Sequence, residues 1–556
     1  MTGERNNDMV VRRTMIWLIA ITLACYFGTI LYKGPWVDCD LLEGIFSLSN
    51  YLNGQGFHQV YGIDERYHML PFFLSYWAPG QYVYSWGIAS LLHTNIGNAI
   101  IITNVIFVSV GLYTYYRLLQ HFRFSDTLIF TAIFMLVIQR FFNGLLLKMN
   151  GVDIYLIVFA SATVLLYERY YAARTARKHA LLLAALFLLL CAGLFSKNSF
   201  LLFVITCSAF YFIYYVVRYL RNMPGRPSLV KIALPAIVSL TAAVIFQVFI
   251  YGRGRTPFDE RFNEAPLDLT ALKLANIFIK PAVQTLGSGF TLDALLLHIP
   301  STSKSYFSYL FDFSWEGIAG SILILIPLIY SIYRFCAAHK KALFPYLAVA
   351  AVCVYTLFFA TAIVQRSDVY AEDRLFLPML LLLMPVYAYT VLYEKRPVRY
   401  AMFIFVGISI AFSVLSVPVT FKYYGKSRYI KKEGLISGFL IHSETANFDE
   451  LEQLGRLLSE KYPKNNLLIT SSSTGFLLMQ TELPCIVTDL TTRSDMDAMI
   501  DTNMAFLQKN GTSVLSVVKA NSIPIRTGRY QVLEHIRLKD NELYVIATRK
   551  RDTVSQ

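Results

Sequence analysis

The stretch RRTMIWLIAITLACYFGTILYKGPWVDCD, residues 12–40, runs from two arginines through an uncharged apolar segment to two aspartates. The run from Met15 to about Leu31 approaches the roughly 20 residues that cross a bilayer core as helix. It is longer than the apolar core of a signal peptide, about 7–15 residues, and has no clear small-residue cleavage site. It therefore reads as an uncleaved first transmembrane helix. Its two flanks belong to opposite membrane faces, and basic residues favour the cytoplasmic one, so Arg12 and Arg13 lie inside and Asp38 and Asp40 outside.

Working outward, apolar runs recur over 14–33, 98–117, 126–143, 152–169, 179–196, 199–217, 230–251, 317–334, 343–364, 375–393 and 399–419, which predicts about eleven transmembrane helices by length. The loops between them alternate in charge. One set holds Arg117 and Arg123; Arg169, Arg174, Arg177 and Lys178; Arg218, Arg221, Arg226 and Lys231; Arg334, Lys340 and Lys341; and Lys395, Arg396 and Arg399. The other set holds nearly all the carboxylates, among them Asp38, Asp40, Asp64, Glu65, Asp153, Asp259, Glu260, Glu372 and Asp373. With the N-terminus inside, every basic loop faces the cytoplasm. Counting Gln81–Leu92 as a crossing would invert this order, and its about 12 residues are short for one. It reads instead as a helix at the outer interface, with Tyr82, Tyr84 and Trp86 as interfacial aromatics, and Asp38–Leu52 as a second such helix.

Two outer loops are long, 34–97 and 252–316. The expected organisation is a polytopic all-α membrane domain over 1–421, followed by a soluble extracytoplasmic α/β domain over 422–556. In that tail, short strand-like runs (Leu467–Thr470, Cys485–Thr488, Val514–Val518, Leu543–Ala547) are separated by helical patterns such as Phe448–Lys461 and Asp495–Lys509. The composition agrees with the membrane class. Apolar residues make up 56% of the chain and charged residues 15%, against about a quarter charged in soluble domains. The net charge of +14 sits in the cytoplasmic loops and reports topology and contact with anionic membrane lipids, not nucleic acid. The uncleaved N-terminus and the lack of retention signals point to a bacterial inner membrane, with the tail in the periplasm.

Several absences narrow the function. No span carries an Asp or Glu near its middle, as ion-coupled transporters usually require. No Walker loop and no internal repeat is present. No CxxC or Cys/His spacing suggests zinc, and Cys39 and Cys485 alone among seven cysteines fall in outer segments.

Five places could carry chemistry. Asp38-Cys39-Asp40 follows the first span. Aspartates there can simply cap a helix or face water, or serve as a base, or hold a divalent cation through oxygen ligands. Asp153 lies at the outer start of a helix, where the dipole favours an acid, and adds a carboxylate to the same face. Lys197 lies between two spans, where snorkelling would suffice to hold it. Arg374, beside Glu372 and Asp373, stands where the chain re-enters the membrane, and Arg253, Arg255 and Arg261 crowd the second long loop. Cations close to lipid suit phosphate, which the arginine fork matches.

This arrangement resembles the GT-C superfamily of membrane glycosyltransferases, such as protein O-mannosyltransferases and lipid A aminoarabinose transferases. Asp38-Cys39-Asp40, with a helix ending at Gly54-Gln55-Gly56, resembles the acidic start of the family's first outer loop, although the family often has Asp-Glu there. Ala78-Pro79-Gly80 resembles its Pro-rich segment, and Asp153 its second-loop aspartate. Gly193-Leu194-Phe195-Ser196-Lys197 resembles its threonine-lysine segment, with Ser196 for threonine. Glu372-Asp373-Arg374 through Pro378 resembles its glutamate-arginine-aromatic-proline segment, with Leu375 where an aromatic is common.

The resemblance implies a polyprenyl-phosphate-linked sugar as donor and a lipid, glycan or protein as acceptor. Nucleotide sugars are cytoplasmic, whereas these carboxylates face the other way, so a donor delivered within the membrane fits. Its phosphate leaves without a general acid, and one base is enough. The expected base is Asp38 or Asp40, with Asp153 positioning the acceptor. Lys197, Arg374 and Arg261 would neutralise the phosphate. Tyr82 and Trp86 would shape the lipid and substrate groove. No cofactor is required, and no metal site is assigned beyond Asp38 and Asp40. A flippase or transporter of a lipid-linked saccharide would share the membrane domain, and a scaffold with degenerate catalytic residues is a third reading.

Overall fold

The computed structural model describes residues 2–37, 39–52, 60–63, 69–72, 78–149, 152–223, 226–249, 271–290, 292, 315–364, 373–426, 428–429 and 435–441, and in the tail 456–458, 460–462, 467–470, 485–487, 498, 501–503, 505, 514–519, 530–537 and 542–548. The membrane part is helical: α1 (Thr2–Lys33), α2 (Cys39–Leu52), α3 (Gly80–Leu92), α4 (Ile96–His121), α5 (Asp126–Val137), α6 (Arg140–Leu147), α7 (Leu156–Ala172), α8 (Ala176–Ser196), α9 (Phe200–Leu220), α10 (Leu229–Phe249), α11 (Ala271–Gly287), α12 (Trp315–Ala338), α13 (Phe344–Val364), α14 (Leu377–Tyr393) and α15 (Arg396–Lys426).

Eight of these are long and apolar enough to cross a bilayer among the described residues: Met9–Lys33, Ile96–His121, Ala176–Ser196, Phe200–Leu220, Leu229–Phe249, Ile318–Ala338, Phe344–Ala362 and Arg396–Leu415. The chain is an integral membrane protein. The count falls short of eleven at three places. The run over 126–143 breaks into two helices bent by 59°. The runs over 152–169 and 375–393 become α7 and α14, of 17 residues each, or about 25 Å of helix against a core of about 30 Å. Each is preceded by a 3-10 turn, Asp153–Tyr155 before α7 and Asp373–Phe376 before α14.

These short helices form the interior of the bundle. In α14 almost every side chain from Leu377 to Ala388 is buried. Burial removes water as a partner for backbone groups, so a proline inside such a helix leaves a carbonyl one turn earlier unpaired. Tyrosine hydroxyls fill that gap twice. Pro385 leaves Leu381 without its helical donor, and the Tyr115 hydroxyl of α4 donates to the Leu381 carbonyl at 2.7 Å. Pro235 does the same to Lys231, whose carbonyl accepts from Tyr170 at 3.1 Å.

A small sheet gathers distant segments at one end of the bundle. Strands β1 (Trp36–Val37), β4 (Lys148–Met149), β5 (Arg428–Tyr429) and β6 (Leu440–Ile441) lie in the order β4-β1-β6-β5. β1 runs parallel to both β4 and β6. The segment before β6 also docks on α4, whose first amides donate to chain carbonyls, Ile96 to Leu435 at 2.7 Å and Gly97 to Ser437 at 2.9 Å. Gly97 lies against the Gly438 backbone where a Cβ would collide, and Gly438 holds φ +85°, a conformation suited to glycine. β2 (Val60–Ile63) and β3 (Met69–Phe72) form an antiparallel pair in the first long loop. Further on, β7 (Leu467–Thr470), β8 (Cys485–Val487), β9 (Val514–Lys519), β10 (Tyr530–Arg537) and β11 (Glu542–Thr548) make a mixed sheet in the order β10-β11-β9-β7-β8.

Candidate functional site

The same end of the bundle holds a buried ion pair. Lys197 Nζ lies 3.2 Å from Asp153 Oδ2, with the side chains 5% and 0% exposed respectively. Local sequence explains both positions. α8 stops at Ser196 because Lys197 turns to extended backbone (φ −157°, ψ 130°) while its amide still donates to Gly193. The turn onto α9 is tight because Gly193 lies where any Cβ would meet the Phe200 ring. Asp153 opens the 3-10 turn, closed by the Tyr155 amide donating to Val152 at 2.9 Å. Four residues earlier, β4 is held beside β1, which ends at Val37, the residue before Asp38.

Aromatic and hydroxyl contacts hold the pair's surroundings. The Ser196 hydroxyl donates to the Ala192 carbonyl at 2.7 Å and lies 3.1 Å from the Tyr84 hydroxyl, which itself donates to Ala192 at 3.1 Å. The Tyr84 ring contacts Phe107 and Phe195. Phe107 in turn stacks on Tyr155, with 4.0 Å between centroids and 15° between planes. Burial raises the pKa of Tyr84 above the ordinary phenol value, so its hydroxyl stays protonated. The start of α3 closes the corner. A Cβ on Gly80 would fall 2.8 Å from the Phe195 carbonyl oxygen and the Ser196 Cα, so glycine is what lets α3 approach the end of α8.

The residues singled out in the sequence are distributed as follows. Asp153 and Lys197 are brought together. Arg374 lies in the 3-10 turn Asp373–Phe376, which, like the Asp153 turn, packs beside α6. Its side chain is outside the described residues. Its neighbour Phe376 is buried and stacks on Phe359, 4.3 Å between centroids. Asp40 lies in the first turn of α2, its side chain outside the described residues. Asp38 and Arg261 lie outside them altogether. Tyr82 is fully buried, its ring against Gly44 of α2, so it joins α3 to α2. Trp86 is partly exposed, edge-on to Tyr51 at 6.1 Å. Among the described residues no three His, Cys, Asp or Glu side chains come together as a metal-binding group.

Two polar groups at the site stand out only in the structure, the hydrogen-bonded Ser196 hydroxyl and the Gln81 amide. Gln81, the second residue of α3, is fully buried. A polar residue one position after the Pro-Gly that brings α3 to α8 was the available signal.

No protein-family model and no curated protein matches the sequence. Solved structures do match in fold. ArnT from Cupriavidus metallidurans in the apo state superposes with a TM-score of 0.51 at 10% identity, covering 96% of this chain and 97% of that one. The same protein bound to undecaprenyl phosphate gives a TM-score of 0.49 at 10% identity over the same shares. The apo oligosaccharyltransferase of Archaeoglobus fulgidus is a looser match, with a TM-score of 0.45 at 12% identity, covering 91% of this chain and 69% of that one. The likeness to ArnT is one of fold and runs along nearly the whole chain.

Proposed function

We propose that this protein is a glycosyltransferase that moves a sugar from a polyprenyl-phosphate donor to an acceptor at the extracytoplasmic membrane face. The observation that carries the reading is the buried Asp153–Lys197 pair, 3.2 Å apart, at the end of the bundle where α3 and the Arg374 turn also meet the bundle. Sequestering both charges is costly unless the site needs them there, and a lysine held this way suits a phosphate. The fold shared with ArnT supports the same reading.

In the reaction, an acceptor hydroxyl attacks the anomeric carbon as the bond from that carbon to the phosphate oxygen breaks. Asp38 or Asp40 takes the hydroxyl proton, and Asp153 helps to position the acceptor. The polyprenyl phosphate leaves with the electron pair, its growing charge met by Lys197, Arg374 and Arg261. A single displacement inverts the anomeric centre. The eleven-helix topology belongs to this reading, with α7, α14 and the broken α5–α6 pair counted as interior crossings. So do the inner-membrane location, the cytoplasmic N-terminus and residues 422–556 as an extracytoplasmic α/β domain.

The test is transfer of radiolabelled sugar from membrane lipid extracts by purified wild type, Asp38→Asn and Asp40→Asn. Loss of at least about a hundredfold in one variant, the scale of general-base catalysis, would identify the base. Full activity in both variants and in their double would remove the base assignment. Movement of label between leaflets without transfer would replace the transferase with a flippase.

A further inference from the structure

The side chain of Gln81 sits where nothing among the described residues uses it. The residue is fully buried, and among the described residues neither its amide nitrogen nor its amide oxygen has a hydrogen-bond partner. Its position on α3 gives its direction. Residues four apart share a helix face. Gly80 and Tyr84 face α8, the first against Phe195 and Ser196 and the second bonded to Ala192. Tyr82 faces the opposite way, onto Gly44 of α2. Gln81 and Ser85 form the row between them, and Ser85 lies beside the Tyr155 phenol, in the 3-10 turn that Asp153 opens. Gln81 is one helical turn nearer the start of α3 than Ser85, at the level where Gly80 meets Ser196, the neighbour of Lys197. The amide is thus placed in the corner between the Asp153 turn and Lys197.

Burying an amide unpaired is costly, and packing alone would be served by Met or Leu. A neutral amide offers two donors and an acceptor in one plane. It would not compete with Lys197 for a phosphate, but it matches the adjacent hydroxyls of a sugar ring. We propose that Gln81 is a substrate-recognition residue that hydrogen-bonds the hydroxyls of the transferred sugar beside the Asp153–Lys197 pair. This rests on the reading of that pair as a lipid-linked-sugar site.

The experiment uses full-length wild type, Gln81→Met and, as a second apolar substitution, Gln81→Leu. Each is melted alone, with undecaprenyl phosphate, and with undecaprenyl phosphate carrying a series of hexoses and pentoses. The apolar variants are expected to melt at or above wild type, because they remove an unpaired buried group. They should keep the affinity for undecaprenyl phosphate and lose at least about tenfold in affinity for the sugar-bearing lipid that wild type prefers, the scale of one lost hydrogen bond. If both variants melt well below wild type, Gln81 is a structural residue. If they bind the sugar-bearing lipid as wild type does, or if wild type gains nothing from the sugar, the assignment falls. If wild type transfers no sugar yet the sugar-dependent binding is lost in the variants, the transferase reading fails and the Gln81 assignment stands.

Discussion

Breaking the Asp153–Lys197 pair from one side should cost more than removing it whole. At 3.2 Å, two unit charges attract by about 5 kcal/mol at an effective dielectric near 20. Asp153→Asn withdraws that attraction and leaves an ammonium group that is only 5% exposed. Lys197→Met leaves a carboxylate with no exposure at all. One-sided rupture of a buried pair typically costs about 3–5 kcal/mol, whereas replacing both partners with neutral groups is often close to neutral. The expected order of thermal midpoints in detergent, followed by tryptophan fluorescence, is therefore both single variants well below wild type and the Asp153→Asn, Lys197→Met double variant near it. Transfer activity should be lost in all three, which separates stability from function. Single variants that melt with wild type would mean that the pair is solvated, and a double variant as unstable as the two singles combined would mean that the charges are not coupled. Either result would refute the argument from burial.

Two further outcomes follow from groups far from the site. Tyr115→Phe removes the donor to the carbonyl that Pro385 leaves open. It should cost about 1–3 kcal/mol, as an unsatisfied buried acceptor does. The cost should shrink in a Pro385→Ala background, where the restored amide can reach Leu381, and equal costs in the two backgrounds would show that the proline is unrelated. His339, just past the end of α12, has its pKa lowered by burial among Phe124, Phe335 and Tyr389. The native state thus binds fewer protons here than the unfolded chain, whose histidine titrates near about 6.5. Stability from this group is complete above that pH and declines as pH falls through it toward the lowered native value. Thermal midpoints measured from pH 7.5 to 5 should show this decline, and His339→Phe should flatten it. An unchanged slope in the variant would assign the effect elsewhere.

Patterns that repeat along the chain were legible without the fold. Length and apolarity marked every span that the structure carries as a long helix, from Met9–Lys33 to Arg396–Leu415, because a helix facing lipid must be apolar over its own length whatever its neighbours are. The helices expected over Asp38–Leu52 and Gln81–Leu92 appear, as Cys39–Leu52 and Gly80–Leu92. Among the tail strands, Leu467–Thr470 matches the expectation residue for residue, whereas Tyr530–Arg537 was passed over. The alternation in that segment, with Glu534, His535 and Arg537 among the apolar residues, reads as solvent-facing chain until β11 supplies its partner.

Tertiary structure decided what depends on neighbours. Whether a 17-residue apolar helix crosses alone or fills an interior is set by the helices around it, so α7 and α14 counted as full spans by composition alone. The aromatic series Tyr82, Tyr84 and Trp86 reads as an interfacial belt, yet Tyr82 is fully buried against Gly44, and the half-buried Tyr84 bonds to Ala192, while Trp86 stays partly exposed. At the site, the sequence by itself determined which residue types stand at each helix end: Asp153, Lys197 and the Pro79-Gly80 step. That Asp153 and Lys197, 44 positions apart in the chain, come within 3.2 Å of each other was decided by the fold. A glycine at 80 and a two-strand register at Trp36–Val37 allow three separate segments to converge, and no local preference encodes that meeting.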